Sequence, residues 1–249
     1  MLRIYLTGEL CVESGRLLVR EQRLPRRQGR LAFAYLVSER HRAVARDELA
    51  ELLWPGSLPA AWEGAVSALV SKLRSLLAEL GLERDAIASA FGCYQVKLPA
   101  GAWVDTEAAQ ASVHEAEGAL RAGTPDRAYI PTVVAAAILR RPFLPGAEGV
   151  WIDSRRNALR SALVRTLDCR AELHVWNGEP ALALRAAEEA VRLEPYRETG
   201  YQRLVRIHLA MGNRAEALRV YERCRRLLAE DLGTRPTADT EALMGVVRA

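Results

Sequence analysis

The chain has 249 residues, a length that suits two domains, and its 50% hydrophobic and 27% charged residues exclude a wholly disordered or fibrous protein. Its formal net charge is only +4 at pH 7, although its basic residues comprise 33 arginines and two lysines. Arginine suits phosphates and guanine edges, but a GC-rich genome produces the same excess, so composition neither requires nor excludes a nucleic-acid partner.

Alternation of apolar and polar residues predicts short strands at the start of the chain. The alternation covers 2–6, resumes over 10–12 after Gly8, and is followed by a third candidate at 16–19. A further short extended link is predicted at 43–45.

Helical spacing of apolar residues begins after Pro25 and predicts three helices. The second runs from Asp47 to Leu53, and the third from after Pro59 to Leu80. The third helix has one apolar stripe, so its opposite face is free to meet a ligand. The predicted stripe is Val66, Leu69, Leu73, Leu76 and Leu77, and the polar face carries Glu63, Ser67, Ser71, Lys72, Arg74 and Ser75.

An aromatic-flanked segment, Phe91 to Leu98, predicts one strand of a β-hairpin after the third helix. Three helices followed by a hairpin are the plan of a winged helix-turn-helix, in which the third helix enters the major groove of DNA. The predicted fold is thus mostly α, with an N-terminal α+β unit.

Positive charge is concentrated before and within the first two helices. The stretch from Arg16 to Arg46 holds nine arginines against Glu21 and Glu39, a local net charge of +7. A solvated surface is one interpretation of such a run, and attraction to an anionic surface is the other. We favour a nucleic acid as the partner.

Four segments resemble the OmpR-type winged helix of the SARP regulators. They are Arg-Ala-Val-Ala-Arg-Asp-Glu-Leu at 42–49, Leu-Leu-Trp-Pro at 52–55, Val-Ser-Lys-Leu-Arg at 70–74 and Gly-Cys-Tyr-Gln-Val at 92–96. The resemblance implies that Lys72 and Arg74 touch DNA and that Arg42 and Arg46 lie near the phosphate backbone. The full set expected to contact DNA is Arg42, Arg46, Ser67, Ser71, Lys72, Arg74 and Lys97.

The chain departs from this family at two places. Gly64 and Ser67 stand in the third helix where relatives often carry Asn and Gln, and Gly64 weakens the helix by roughly 1 kcal/mol relative to Ala. Phe91 and Gln95 flank the hairpin's Gly-Cys-Tyr, where relatives usually have an Arg or Thr. The target sequence and any contact between hairpin and phosphate stay open.

The second half shows a 34-residue repeat, the period of tetratricopeptide (TPR) repeats. Gly178 and Ala183 recur as Gly212 and Ala217, and a third Gly-to-Ala pair occurs at 123 and 128. We expect each glycine at a tight turn, where two helices approach closely. From Trp103 onward we expect no strand, with helix pairs over 105–139 and a helix over 159–174.

The order of segments resembles the bacterial transcriptional activation domain (BTAD). Trp-Val-Asp at 103–105, Phe-Leu-Pro-Gly at 143–146, Gly-Asn-Arg-Ala-Glu-Ala-Leu-Arg-Val-Tyr at 212–221 and Leu-Gly-Thr-Arg-Pro at 232–236 carry the resemblance. We therefore predict a winged-helix domain at 1–102 and an all-α, TPR-like BTAD at 103–249.

Motifs of enzymes, metal sites and membrane proteins are missing from the sequence. We recognise no signal peptide, no apolar stretch of the length that crosses a bilayer, no Gly-rich phosphate loop and no Cys/His ligand set. The four cysteines are scattered at Cys11, Cys93, Cys169 and Cys224. We predict a cytoplasmic protein without a cofactor, metal or membrane partner, and not an enzyme.

Two functional hypotheses follow. The first is a sequence-specific regulator of transcription, an activator by resemblance, that binds direct repeats in double-stranded promoter DNA as a homodimer and contacts RNA polymerase. The second is a protein-interaction module whose degenerate winged helix no longer reads DNA. An enzyme with catalytic groups gathered from distant segments ranks third.

Overall fold

The structure, a computed structural model, describes residues 1–83 and 85–248. These residues form seven strands and ten α-helices, which confirms a mostly α fold with a small N-terminal β region. The strands are β1 (Leu2–Tyr5), β2 (Cys11–Ser14), β3 (Leu17–Arg20), β4 (Val44–Ala45), β5 (Ile87–Ala90), β6 (Cys93–Val96) and β7 (Trp103–Val104). The helices are α1 (Arg26–Ser38), α2 (Arg46–Leu53), α3 (Trp62–Glu79), α4 (Asp105–Arg121), α5 (Pro125–Leu139), α6 (Val150–Trp176), α7 (Pro180–Leu193), α8 (Glu198–Ala210), α9 (Arg214–Leu232) and α10 (Ala238–Arg248).

Two compact units divide the chain, and the first is discontinuous. It comprises Met1–Ala108 and Arg141–Asn157, whereas the second comprises Ala109–Arg140 and Ala158–Ala249. The segment that returns to the first unit is held beside the end of β1, where the N–H of Leu144 donates to the carbonyl oxygen of Leu6 at 3.1 Å and the N–H of Gly8 donates to that of Pro142 at 2.8 Å.

The first sheet has the strand order β3-β2-β1-β7. β1 pairs antiparallel with β2, so that Ile4 faces Val12, and parallel with β7, so that Ile4 also faces Val104. Ile4 and Val12 are buried, as the alternation in the sequence predicts, and Val104 is buried as well. The expectation of no strand from Trp103 onward was wrong, because a two-residue strand is too short to show alternation.

A buried carboxylate joins the end of β1 to the start of α4. Asp105 is fully buried and accepts hydrogen bonds from the backbone N–H groups of Leu6, Thr7 and Thr106 and from the Thr7 hydroxyl, at 2.7 to 3.0 Å. These four donors compensate the cost of burying the charge. The aspartate of the Trp-Val-Asp motif is thus a structural residue.

Helix α3 packs one apolar stripe against the rest of the first unit. Val66, Val70, Leu73 and Leu77 are buried at the 3- and 4-residue spacing of one helix face. The sequence predicted three of these four residues, Val66, Leu73 and Leu77. It named Leu69 and Leu76, which are only half-buried, and omitted Val70.

A β-hairpin follows α3 and forms a sheet of order β4-β6-β5. Ala90 faces Cys93 in the antiparallel register, so Phe91 and Gly92 form a two-residue loop. Both have positive φ, +49° and +74°, as in the turns that join such hairpins. The predicted strand from Phe91 to Leu98 was therefore wrong at its first two residues and is limited to Cys93–Val96.

The second unit consists of consecutive helices with glycines between them. Gly123, Gly178 and Gly212 all have a positive φ, and a Cβ added to any of them would meet nothing within 4 Å. The expectation that close helix approach requires these glycines was wrong, because their left-handed backbone is what favours glycine. Close packing falls instead on the alanines five residues later, which are fully buried: Ala128, Ala183 and Ala217.

One glycine of the second unit does allow close approach, and the repeat pattern did not reveal it. A Cβ on Gly200 in α8 would lie 2.8 Å from Cγ2 of Val191 in α7. Helix α6 also begins earlier than expected, at Val150 rather than Leu159. Its first residues belong to the first unit, so they do not follow the repeat pattern.

Candidate nucleic-acid interface

The exposed face of α3 is built from small side chains around one lysine. Ser67, Ser71 and Lys72 are all exposed there, as predicted from their spacing, together with Gly64. Among the described residues, no carboxylate lies within ion-pair distance of the Lys72 ammonium group. A Cβ on Gly64 would meet nothing within 4 Å, so packing does not require this glycine. We call this surface, formed by Gly64, Ser67, Ser71 and Lys72, the α3 face.

Arg74, which the sequence placed with these residues, is directed elsewhere. Its Nε and Nη2 atoms donate to the carbonyl oxygen of Ile87 at 2.8 and 2.6 Å, and the side chain is part-buried. Ile87 is the first residue of β5 and is fully buried. Arg74 therefore ties the C-terminal half of α3 to the first strand of the hairpin.

Arg42 lies in a network of acidic partners. Its Nε donates to Glu39 at 2.8 Å, its Nη1 to Glu48 at 2.9 Å, and its Nη2 to the Tyr35 hydroxyl at 3.2 Å. The hydrogen bonds from Arg42 lower the pKa of Glu48 to about 2. Burial, followed by the hydrogen bond to Glu48, raises the pKa of Tyr35 to about 12. Since one guanidinium serves two carboxylates, Arg42 offers no surplus positive charge.

Arg46 supports the hairpin from the start of α2. Its guanidinium carbon lies 5.4 Å from the centre of the Tyr94 ring, and its backbone N–H donates to the carbonyl oxygen of Gly92 at 3.0 Å. Lys97 lies just beyond β6, with an exposed side chain whose Nζ is 4.0 Å from Asp85. The structure thus brings Arg46 to the hairpin loop and keeps Lys97 at the hairpin's base.

The arginine-rich stretch from 16 to 46 is largely neutralised in three dimensions. At least five of its nine arginines form ion pairs, and four of their acidic partners lie outside the stretch, where the local net charge of +7 does not count them. The pairs are Arg20 with Glu9, Arg23 with Glu79, Arg30 with Glu21, Arg40 with Glu107, and Arg42 with both Glu39 and Glu48.

Phe91, at the tip of the hairpin, is fully exposed. It stands in the left-handed region with φ of +49°, which is uncommon for a residue with a bulky side chain. The sequence showed that Phe91 stands where relatives usually have an Arg or Thr, but it did not show that Phe91 lies in the hairpin loop. Only the register of Ala90 with Cys93 places it there.

Within 1–83 and 85–248 there is neither a metal-binding group of side chains nor a membrane-spanning helix. No three His, Cys, Asp or Glu side chains in these ranges form a group that could hold a metal ion. None of the helices there is long and apolar enough to cross a membrane.

The family model of the bacterial transcriptional activator domain matches residues 104–248. This is more than half of the chain, and the chain belongs to that family. Regulatory protein AfsR of Streptomyces griseus is 29% identical over 218 residues, which are 87% of this chain and 22% of AfsR. Transcriptional regulatory protein EmbR of Mycobacterium tuberculosis is 28% identical over 221 residues, 86% of this chain and 55% of EmbR. The predicted resemblance to SARP-type BTAD regulators is confirmed.

A solved structure of Mycobacterium tuberculosis EmbR, in complex with a low-affinity phosphopeptide, shares the fold. It superposes with a TM-score of 0.88 over 99% of this chain and 65% of that chain, at 24% sequence identity. The chain spans between about a fifth and about half of the length of the curated relatives named here.

Proposed function

We propose that the chain is a DNA-binding regulator of transcription, an activator, whose first unit works as a winged helix-turn-helix. The single observation that carries the proposal is the α3 face, with exposed Ser67 and Ser71 beside Lys72, which pairs with no carboxylate of the described residues. Membership in a family of transcriptional activator domains, and relatives named as transcriptional regulators, support the same function.

The dimensions of α3 suit the major groove. The helix has 18 residues, which corresponds to about 27 Å of length at 1.5 Å per residue. The major groove of B-DNA admits one α-helix, and short polar side chains let the helix backbone approach the base edges. Serine hydroxyls donate or accept hydrogen bonds with bases, and Lys72 neutralises a phosphate.

In this proposal Arg74 and Arg46 act as positioning residues. Arg74 fixes the hairpin to α3, and Arg46 fixes the hairpin loop to α2. Lys97 contributes general electrostatic attraction, reduced by Asp85, whereas the charge of Arg42 is offset by its two carboxylate partners.

The second unit is proposed to work as a TPR-like domain. Helix pairs with glycine turns and buried alanines five residues later are the packing that such repeats use. Its role would be to join two copies on promoter direct repeats or to contact RNA polymerase. Stacked helix pairs expose an extended surface that suits protein partners.

A protein-interaction module without specific DNA binding is the second candidate. The ion pairing of at least five arginines in the stretch from 16 to 46 favours it, because paired charge attracts a polyanion less than free charge does.

Gel shifts with the full chain on its own upstream DNA, and on random DNA of equal length, test the two candidates. The first predicts tighter binding to the upstream fragment, with an affinity that falls as salt rises. Lys72→Ala is the test variant, and Arg226→Ala, which removes one positive charge from an exposed position of the second unit, is the matched control. Equal binding to both DNA fragments, unaffected by Lys72→Ala, would rule out specific reading by α3.

A further inference from the structure

The hairpin tip combines three features that no packing in the described structure explains. Phe91 is fully exposed, its backbone is left-handed, and it occupies the first position of a two-residue loop, where Asn, Asp or Gly is preferred. A bulky residue with positive φ is strained, and such strain persists where function requires it. An exposed aromatic side chain on a two-residue loop also loses the hydrophobic gain of burial.

The tip is held in place from two sides. β4 pairs with β6, and the N–H of Arg46, the first residue of α2, donates to Gly92 at 3.0 Å. At the other end of the hairpin, Arg74 holds the start of β5 to α3. Phe91 is therefore projected from a fixed support that is also connected to α3.

The hairpin itself carries no charge. Residues 87–96 contain no Asp, Glu, Lys or Arg, and those beside Phe91 are small: Ser89, Ala90, Gly92 and Cys93. A hairpin of this composition cannot anchor phosphates by charge, but its small residues let the tip approach a surface closely. Apolar side chains such as Phe are the ones that enter between base steps in the minor groove and partly unstack them.

We propose that Phe91 inserts as an apolar wedge into a base step of the DNA, in the minor groove adjacent to the major groove that α3 occupies. This inference rests on the proposed DNA-binding function and deepens it. The wedge favours pyrimidine–purine steps such as TA and CA, because these unstack most easily. Sequence preference would then arise at a position where no hydrogen bond to a base is made.

The variant Phe91→Asn separates this role from a structural one. Asparagine is tolerated in the left-handed region, and Asn-Gly is a preferred pair for a two-residue hairpin loop. Phe91→Asn is thus expected to leave the thermal unfolding midpoint unchanged or to raise it. The same variant removes the wedge. Phe91→Leu keeps an apolar side chain and is the conservative control.

The experiment uses the full chain and a DNA sequence recovered by selection from a random pool. Single 2-aminopurine substitutions along the site report unstacking as a rise in fluorescence. We expect the native chain to raise the fluorescence at one step, and Phe91→Asn to abolish that rise and weaken binding about 5- to 100-fold. Phe91→Leu should retain most of the fluorescence rise and most of the affinity. The salt dependence of binding should not change in either variant, because no charge is removed.

The remaining outcomes each overturn the wedge. In one outcome the native chain selects a sequence, Phe91→Asn binds that sequence equally well, and neither protein changes the fluorescence. The wedge then fails, and DNA reading by α3 stands. If the native chain selects no sequence, the proposed function fails together with the wedge. If Phe91→Asn instead changes self-association in sedimentation without DNA, Phe91 contacts protein rather than bases.

Discussion

The arginine-rich stretch from 16 to 46 and the α3 face differ in how much of their charge is available. The stretch has a net charge of +7 by sequence, but at least five of its nine arginines are engaged by carboxylates in the fold. The α3 face has one basic residue, Lys72, and no described carboxylate pairs with it.

A count of charges along the sequence therefore does not measure the electrostatic field at the surface of the folded protein. Glu79 and Glu107 lie 56 and 67 residues from Arg23 and Arg40 in sequence, and folding brings them together. Paired charges attract a distant polyanion weakly, because the opposite fields largely cancel and salt screens the remainder. A single unpaired lysine on a helix that fits a groove is then the stronger indication of a DNA contact.

The largest effect is expected for Arg74→Ala. The substitution leaves the carbonyl of buried Ile87 without its donor, which costs roughly 1–3 kcal/mol of the free energy of unfolding. Urea unfolding measures the loss. Arg74→Lys should recover part of it, whereas a side chain that served only to touch DNA would leave stability unchanged in both variants.

Lys72→Ala is expected to weaken DNA binding and to leave the stability of the protein almost unchanged. Stability should change by less than about 0.5 kcal/mol, because the side chain is exposed. DNA affinity should fall by roughly tenfold, and the slope of log K against log salt should decrease in magnitude by about one. Fluorescence anisotropy at several salt concentrations gives both quantities, and an unchanged slope would place Lys72 away from phosphates.

Removing the acidic partners of Arg42 tests whether ion pairing weakens the attraction of the arginine-rich stretch to DNA. The double substitution E39Q/E48Q removes both carboxylates that engage the guanidinium and should strengthen binding to random DNA by a few-fold, with a steeper salt dependence. The control is E51Q, which removes an exposed carboxylate of α2 that does not pair with Arg42. Equal gains per removed charge, with one charge removed in E51Q and two in the double variant, would show that only net charge matters.

The smallest effect concerns pH. Hydrogen bonds from Arg42 hold the folded-state pKa of Glu48 at about 2, below its ordinary 4.5. The stabilisation is therefore present above pH 4.5 and is lost as pH falls toward 2. Because Glu48 is about one-third exposed, solvent screening limits the contribution to roughly 1 kcal/mol or less. The difference in unfolding free energy between the native chain and Glu48→Gln should shrink over this range; a constant difference would contradict the ion pair.

Local patterns in the sequence predicted most elements of the fold. The patterns that locate β1, β2 and α3 involve residues that are close in sequence, namely the alternation over 2–6 and 10–12 and the helical spacing in α3. These three elements could therefore be predicted from the sequence alone. The two-residue strand β7 could not be predicted, because its evidence is pairing with β1, 100 residues earlier.

The candidate site was predicted less completely, and for the same reason. Ser67, Ser71 and Lys72 follow from helix periodicity alone. The role of Arg74 depends on a carbonyl 13 residues away and that of Arg42 on two carboxylates, and neither partner is implied by a motif. The exposure of Phe91 depends on the hairpin register, which a single strand pattern does not fix.

The return of Arg141–Asn157 to the first unit bears on when that unit folds during synthesis. Trp151 stacks edge-on against Tyr35 of α1, with ring centres 5.0 Å apart, and Phe143 and Ile152 are buried. A nascent chain that has emerged only as far as α4 lacks these side chains, so part of its hydrophobic core is still inside the ribosome. The proposed DNA-reading unit is therefore completed only after Arg141–Asn157, which follows α4 and α5 along the chain, has been made.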